Sequence, residues 1–322
     1  MPSDSFPYAN GRVRIIENSL LGDAKLSRLE ELSYDEAARQ LADYGFAPDF
    51  PVKTDIDAMI DSERASLRGR IYDLTPDAEL TNLFLLDRDA INVKFLIKAW
   101  LQSGMDFSDI ALEKGFFEVE VLRGCVEDKD YSPLGENLSQ RMDEIENSLE
   151  NGEEIRVVSA MVDRAFYAQI METLKKKKNE FCTLYFSSKI DYLNLMSLMR
   201  ARRLGWDARK LTQMLVDGGK IDHALLIEAM DKNDDEIARF IRHASGDEDI
   251  SHFGKGIARA FEAFAQNDFE SAFSAFSDAL LEMARDERYD PFSIGPVAHY
   301  LIASEREFMR LRIIFAKKRA QR

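Results

Sequence analysis

The chain has 322 residues, 45% hydrophobic and 31% charged, an ordinary globular composition with length for two or three domains. Its net charge of −15 argues against general nucleic-acid binding, which rests on phosphate neutralisation by Lys and Arg. Two well-separated cysteines, Cys125 and Cys182, and no run of eighteen apolar residues exclude a disulfide framework, a zinc cage and a membrane span.

The amino end, Met1-Pro-Ser-Asp-Ser-Phe, lacks a basic region followed by an apolar run, so a secretory leader is not expected and the cytosol is. Ser33-Tyr-Asp-Glu36 is a capping box, in which hydroxyl and carboxylate satisfy each other's free backbone N–H groups. Ala37, Ala38, Leu41 and Ala42 continue that helix to Gly45, and Gly45 to Asp55, with Pro48 and Pro51, reads as a connection. Thr75-Pro76 predicts a cap and the first turn of the next helix. Cys125 to Gly135 reads as a loop, and a helix from Asp163 is expected to end at Lys175-Lys-Lys-Lys178. Asp207 caps a helix carrying Leu211, Met214 and Leu215, which Gly218-Gly219 stops; Gly246 to Gly254 connects onward. Phe269, Phe273, Phe276, Leu280 and Met283, then Val297, Tyr300, Leu301, Phe308, Leu311 and Phe315, fall at the helical period. Strand-like alternation is scarce, and the chain reads as all-α.

One stretch occurs twice. Asp89-Ala-Ile-Asn92-Val-Lys-Phe-Leu-Ile-Lys98-Ala99 returns as Asp191-Tyr-Leu-Asn194-Leu-Met-Ser-Leu-Met-Arg200-Ala201, from position 89 to position 191. A fainter third copy, Glu307-Phe-Met-Arg310-Leu-Arg-Ile313-Ile314, keeps the acid and the apolar positions but has Arg in place of Asn. A long-period repeat means one helical unit used several times. The period gives units 1–104, 105–206 and 207–322, with the signature near the end of each. Around Asn194 the helix is apolar on nearly every side, so it is expected to be buried. A buried amide there needs partners and would act as a polar pin fixing helix register.

Four elements together resemble a known family. They are Tyr8-Ala9-Asn10-Gly11-Arg12-Val13-Arg14, Asp191 to Gly205, Gly218-Gly219-Lys-Ile-Asp222, and Tyr289-Asp-Pro-Phe292-Ser-Ile-Gly295-Pro continuing to Tyr300-Leu, Glu307 and Leu311-Arg-Ile-Ile314. The family is that of the central-stalk C subunits of V-type and archaeal-type rotary ATPases, equivalent to the eukaryotic d subunit. The resemblance runs from residue 8 to residue 315; the departures are Gly11, where the family often has Ala, and Arg310, where it often has Asn. It implies three similar helical units in a funnel with pseudo-threefold symmetry, peripheral on the cytoplasmic face of the membrane. Its implied partners are the membrane rotor-ring subunit and the central-shaft subunits, and its role is torque transmission without a catalytic site.

The residues themselves offer little chemistry. No P-loop sequence occurs, and Gly254-Lys-Gly256 is too short for a dinucleotide fingerprint, so no cofactor or small-molecule substrate is expected. His223, His243, His252 and His299 are scattered; Asp249-Ile-Ser-His252 comes nearest to a metal pattern, and no metal is expected. Glu118, Glu120, Glu127, Asp128 and Asp130 read as a solvated acidic surface. Lys175–Lys178 and the tail Lys317-Lys-Arg319-Ala-Gln-Arg322 are candidates for anionic lipid contact. Arg200, Arg202 and Arg203 close the second signature helix and are candidate partner contacts. The alternative to the rotor reading is a free-standing helical-repeat adaptor with cytosolic protein partners. A helical enzyme with a carboxylate site would need a constellation the sequence does not supply.

Overall fold

The computed structural model describes residues 5–51, 55–103, 112, 114–245, 252–266 and 268–321. Among them all regular structure is helical, in agreement with the periodicity. In chain order the α-helices are α1 (Phe6–Ile16), α2 (Gly22–Glu31), α3 (Tyr34–Asp43), α4 (Ile56–Tyr72) and α5 (Ala78–Ser103). Then come α6 (Val119–Asp128), α7 (Glu136–Glu150), α8 (Ile155–Lys177), α9 (Glu180–Leu204) and α10 (Ala208–Met214). The last five are α11 (His223–Ala229), α12 (Asp234–Ser245), α13 (His252–Ala265), α14 (Phe269–Glu287) and α15 (Gly295–Ala320).

Local chemistry explains several boundaries. The capping box at Ser33 forms, with the Ser33 N–H donating to Glu36 Oε2 at 3.1 Å. The cap of α5 is Asp77, whose carboxylate accepts from Leu80 N–H at 3.0 Å; the Thr75 hydroxyl bonds onward to Thr81 instead. A carboxylate binds a free N–H more strongly than a hydroxyl does, which moves the cap from Thr75 to Asp77. Helix α8 starts at Ile155 rather than Asp163, because Val157 and Ala160 pack against Met214 and Trp206. Tertiary burial there overrides the low helix propensity of the β-branched residues. Cys125 lies within α6, not in a loop, and its burial pushes the thiol up to about 11. Helix α10 ends at Met214, before Gly218-Gly219, and Gly254 lies within α13.

Packing divides the chain into two compact units, Met1–Phe84 with Ala284–Arg322, and Leu85–Met283. In the first, α1, α2, α3 and α4 all pack on α15, whose Val297, Tyr300, Phe308, Leu311 and Phe315 are buried. Tyr34 meets Phe315 edge-on at 5.4 Å and Phe46 meets Phe308 at 6.2 Å. Each such buried side chain contributes about 1.5–3 kcal/mol. The basic tail serves the same packing. Lys318 is buried and donates to the carbonyls of Glu30 and Leu32 at the end of α2, and Arg319 pairs with Asp57 at 2.5 Å. A cation at the carboxyl end of a helix meets its unpaired carbonyls and its dipole.

In the second unit α9 is the buried helix, as its apolar periphery predicts. Phe186, Ile190, Leu195 and Leu198 are fully covered, and α8, α10 and α11 pack on it. The apolar face of α14 meets it through Phe273 and Phe276, at 5.8 and 4.9 Å from the Tyr192 ring. Helix α7 lies on α8, and α12 on α13.

Candidate functional site: three carboxylate clamps

The signature residues of α9 each hold backbone of the segment that follows the helix. Asp191 accepts from two successive backbone N–H groups, Lys220 at 3.1 Å and Ile221 at 3.0 Å. One turn on, the Asn194 amide donates to Val216 O and accepts from Val216 N–H, both at 2.8 Å. Acid and amide are both fully buried, and together they fasten the segment 216–221 to the helix. The Gly-Gly-x-Ile-Asp element acquires a physical reason from this. A Cβ on Gly219 would overlap Asp191 Oδ1, so only glycine lets the backbone come close enough to donate. Asp222 then caps α11 by accepting from Ala224 N–H at 2.7 Å.

The same device recurs on the other two signature helices. On α5, buried Asp89 accepts from Phe116 N–H at 2.8 Å and Phe117 N–H at 3.2 Å, and a Cβ on Gly115 would overlap its carboxylate. Asn92 beside it is buried. On α15, Glu307 accepts from Leu21 N–H at 3.0 Å and Gly22 N–H at 2.6 Å. Burial pushes the Glu307 carboxyl above its ordinary range, against the pull of those two N–H groups. Arg310, standing where Asn would, pairs with Asp23 at 2.5 Å and Glu30 at 3.1 Å on α2.

A signal for the clamped segments was present in the sequence. Gly115-Phe-Phe-Glu118 and Gly219-Lys-Ile-Asp222 share a glycine, the two donors and an acid at the start of the next helix. Leu20-Leu-Gly-Asp23 keeps the donors and the acid without the leading glycine, which hides the likeness.

A second position, two residues before each clamp acid, carries charge in all three copies. Asp87 and Lys189 pair with each other, and the neighbouring ion pair Lys94–Asp163 measures 2.5 Å. Burial works against the Lys189 ammonium, but Asp87, with Tyr167 and Tyr185 beside it, outweighs that and holds its pKa well above the ordinary lysine value. Burial raises Asp163 more than Lys94 lowers it. The third equivalent, Glu305, accepts with both carboxylate oxygens from one edge of the buried Arg64 guanidinium, Nε at 3.0 Å and Nη2 at 3.1 Å.

Of the three arginines closing α9, Arg202 donates to the carbonyls of Ala229, Met230 and Lys232, at 3.2, 2.7 and 2.6 Å, and so finishes α11. Arg203 is exposed, with its guanidinium 4.5 Å from the Phe269 ring, and Arg200 is exposed as well. Lys175 to Lys178 are all exposed. Among the described residues no group of three His, Cys, Asp or Glu could hold a metal ion, and no helix is long and apolar enough to cross a membrane. The stretch Asp249 to Ser251 lies outside the described residues.

The family profile described as ATP synthase (C/AC39) subunit matches residues 9–322. The chain belongs to that family. It is 23% identical to the C subunit of the A-type ATP synthase of Thermococcus kodakarensis, over 95% of this chain and 85% of the relative. With the A-type C subunit of Haloferax volcanii the identity is 25%, over 95% and 91%. With the C subunit of the V-type ATP synthase of Thermus thermophilus it is 24%, over 97% and 94%. The clamp residues lie within the matched range.

Proposed function

We propose that this chain is the non-catalytic connector of a V/A-type rotary ATPase, linking the membrane rotor ring to the central shaft and transmitting torque. The observation that carries the reading is the carboxylate clamp, made three times on three like helices. A part that passes torque must resist twisting, and buried carboxylates holding paired N–H groups stiffen a helical scaffold where plain apolar contacts would let segments slide. The names of the relatives support membership of such a complex.

In this reading the three units of the sequence repeat form a pseudo-threefold funnel. With the units at 1–104, 105–206 and 207–322, each signature acid fastens a segment of another unit: Asp89 holds 116–117, Asp191 holds 220–221, and Glu307 returns to Leu21 and Gly22. The chain sits peripherally on the cytoplasmic face, with the rotor-ring subunit at one end and the shaft subunits at the other. Arg200 and Arg203 are the partner-contact candidates that face outward, Arg202 being engaged with α11. Anionic lipid contact falls to Lys175–Lys178, since Lys318 and Arg319 of the tail serve α2 and α4.

The test is a tagged copy purified from detergent-solubilised native membranes, with its companions identified by mass spectrometry and ATPase activity assayed. Ring, shaft and head subunits should co-purify, with activity carried by the complex and not by this chain alone. Recovery of soluble proteins only, from membranes that retain an intact rotary ATPase, would replace the connector with the adaptor reading.

A further inference from the structure

The turn between α8 and α9 is short and fixed. Lys178 N–H donates to Leu174 O at 2.8 Å, and Asn179 caps α9 by accepting from Cys182 N–H at 2.8 Å. Lys178 closes α8 in the left-handed conformation, φ 53° and ψ 39°, which glycine adopts freely and a residue with a side chain adopts at a cost. At the end of α9 the same position is Gly205, with φ 64° and ψ 33°. Helix polarity accounts for lysines within the last turn of α8, but not for one at a position that suits glycine.

Among the described residues one other lysine has this backbone, and its reason is visible. Lys129, at φ 54° after α6, pairs with Glu150 at 2.8 Å and Glu146 at 3.6 Å. Lys178 has no such partner. Lys175, Lys176 and Lys178 are exposed and make no ion pair among the described residues. Glu172, one turn before Lys175 and Lys176, is taken by Arg141 at 2.7 Å and Asn137 at 3.2 Å. Glu180, in the first turn of α9, is the carboxylate that remains in this stretch of sequence, against four lysines.

We infer that the Lys175–Lys178 turn is a preformed seat for the phosphates of an anionic bilayer surface, with Lys178 kept against its backbone preference to complete it. The composition of the turn separates a bilayer from a protein partner. Protein interfaces are depleted of lysine and anchored by aromatic and apolar groups, and none stands among these four residues. Clustered ammonium groups without an anchor suit a headgroup surface, where each base near the surface strengthens binding about fivefold. On a chain of net charge −15 that attraction is local, acting within a Debye length of the turn. The inference deepens the lipid contact of the connector reading, and rests on that reading for the membrane nearby.

The experiment measures binding of the full-length chain to mixed phosphatidylcholine–phosphatidylserine vesicles and to pure phosphatidylcholine vesicles at low salt. Wild type should bind the mixed vesicles alone. Lys178→Gly relieves the left-handed backbone, so its Tm should rise by about 2 °C while its vesicle binding weakens about fivefold. Gain of stability with loss of binding is a pairing that damage to the fold cannot produce. Replacing Lys175, Lys176 and Lys178 together by Gln should weaken binding about a hundredfold. Wild type that ignores the mixed vesicles, or Lys178→Gly that binds as wild type does or melts below it, would overturn the inference. Displacement by excess inorganic phosphate at constant ionic strength would assign the turn to a free anion and overturn the bilayer. Failure of the triple variant to rejoin a depleted rotary complex in detergent would assign it to a protein partner, with the same result. The connector reading fails separately, when no ring or shaft subunits co-purify with the chain.

Discussion

The clamps on α9 and α15 do the same work with opposite wiring. Asp191 reaches a segment about thirty residues ahead, is fully buried, and is seconded by a neutral amide that also binds backbone. Glu307 reaches back across 285 and 286 residues to the beginning of the chain and is seconded by Arg310, which bonds to exposed carboxylates. The first is local and sheltered from solvent; the second ties the two ends of the chain together with ion pairs that salt can screen. A repeat can thus keep its geometry while changing what its contacts depend on.

That contrast predicts an ordered set of effects. Asp191→Ala strands one buried and one half-buried N–H group and opens a small void, so denaturant unfolding should show a loss of about 3–5 kcal/mol. Glu307→Ala should lose about 2–4 kcal/mol. It should also make residues 5–22 the first site of limited proteolysis, a response Asp191→Ala should not share. Lys189→Ala leaves Asp87 without its counter-charge, for about 3 kcal/mol at neutral pH. Because the folded-state pKa of Lys189 is raised, that contribution is complete below the ordinary value of 10.5 and is lost as pH climbs through the raised one.

The smaller effects sharpen the comparison. The Glu307 carboxyl is raised by burial, so the folded chain holds that proton above 4.5, and stability should fall as pH rises from there through the raised pKa. Glu307→Gln should remove that slope in a pH series of thermal melts. Arg310→Ala should cost less than about 1 kcal/mol at low salt and nothing measurable at high salt, since its partners are exposed. An Arg310 effect as large as that of Asn194→Ala would mean that the two clamps are wired alike.

What the sequence made legible was what a few adjacent residues decide. Ser33 and Glu36 bond within one turn, and the capping box forms as read. The apolar series of α15 buries the face its spacing marks, because the helical period alone selects that face, whereas on α14 Phe276 and Leu280 are buried and Phe269 is exposed. The repeated acid and amide were visible too. Their partners were not visible, since the donors at 220–221 and 21–22 are chosen by how the chain returns to the helix. The start of α8 was missed for a related reason: Val157 carries no helix-start signal, and the burial of Val157 and Ala160 against Met214 and Trp206 decides the matter. The tail bases read as surface charge, yet Lys318 turns inward to carbonyls that only the folded α2 presents.

Whether this chain carries torque between ring and shaft can be read by removing it from the assembled complex in sealed membrane vesicles and measuring ATP hydrolysis and ion transport together. Hydrolysis by the head should continue while transport stops, and adding back the wild-type chain should restore transport. Transport that persists at the same ratio of ions to ATP without the chain would contradict the connector role.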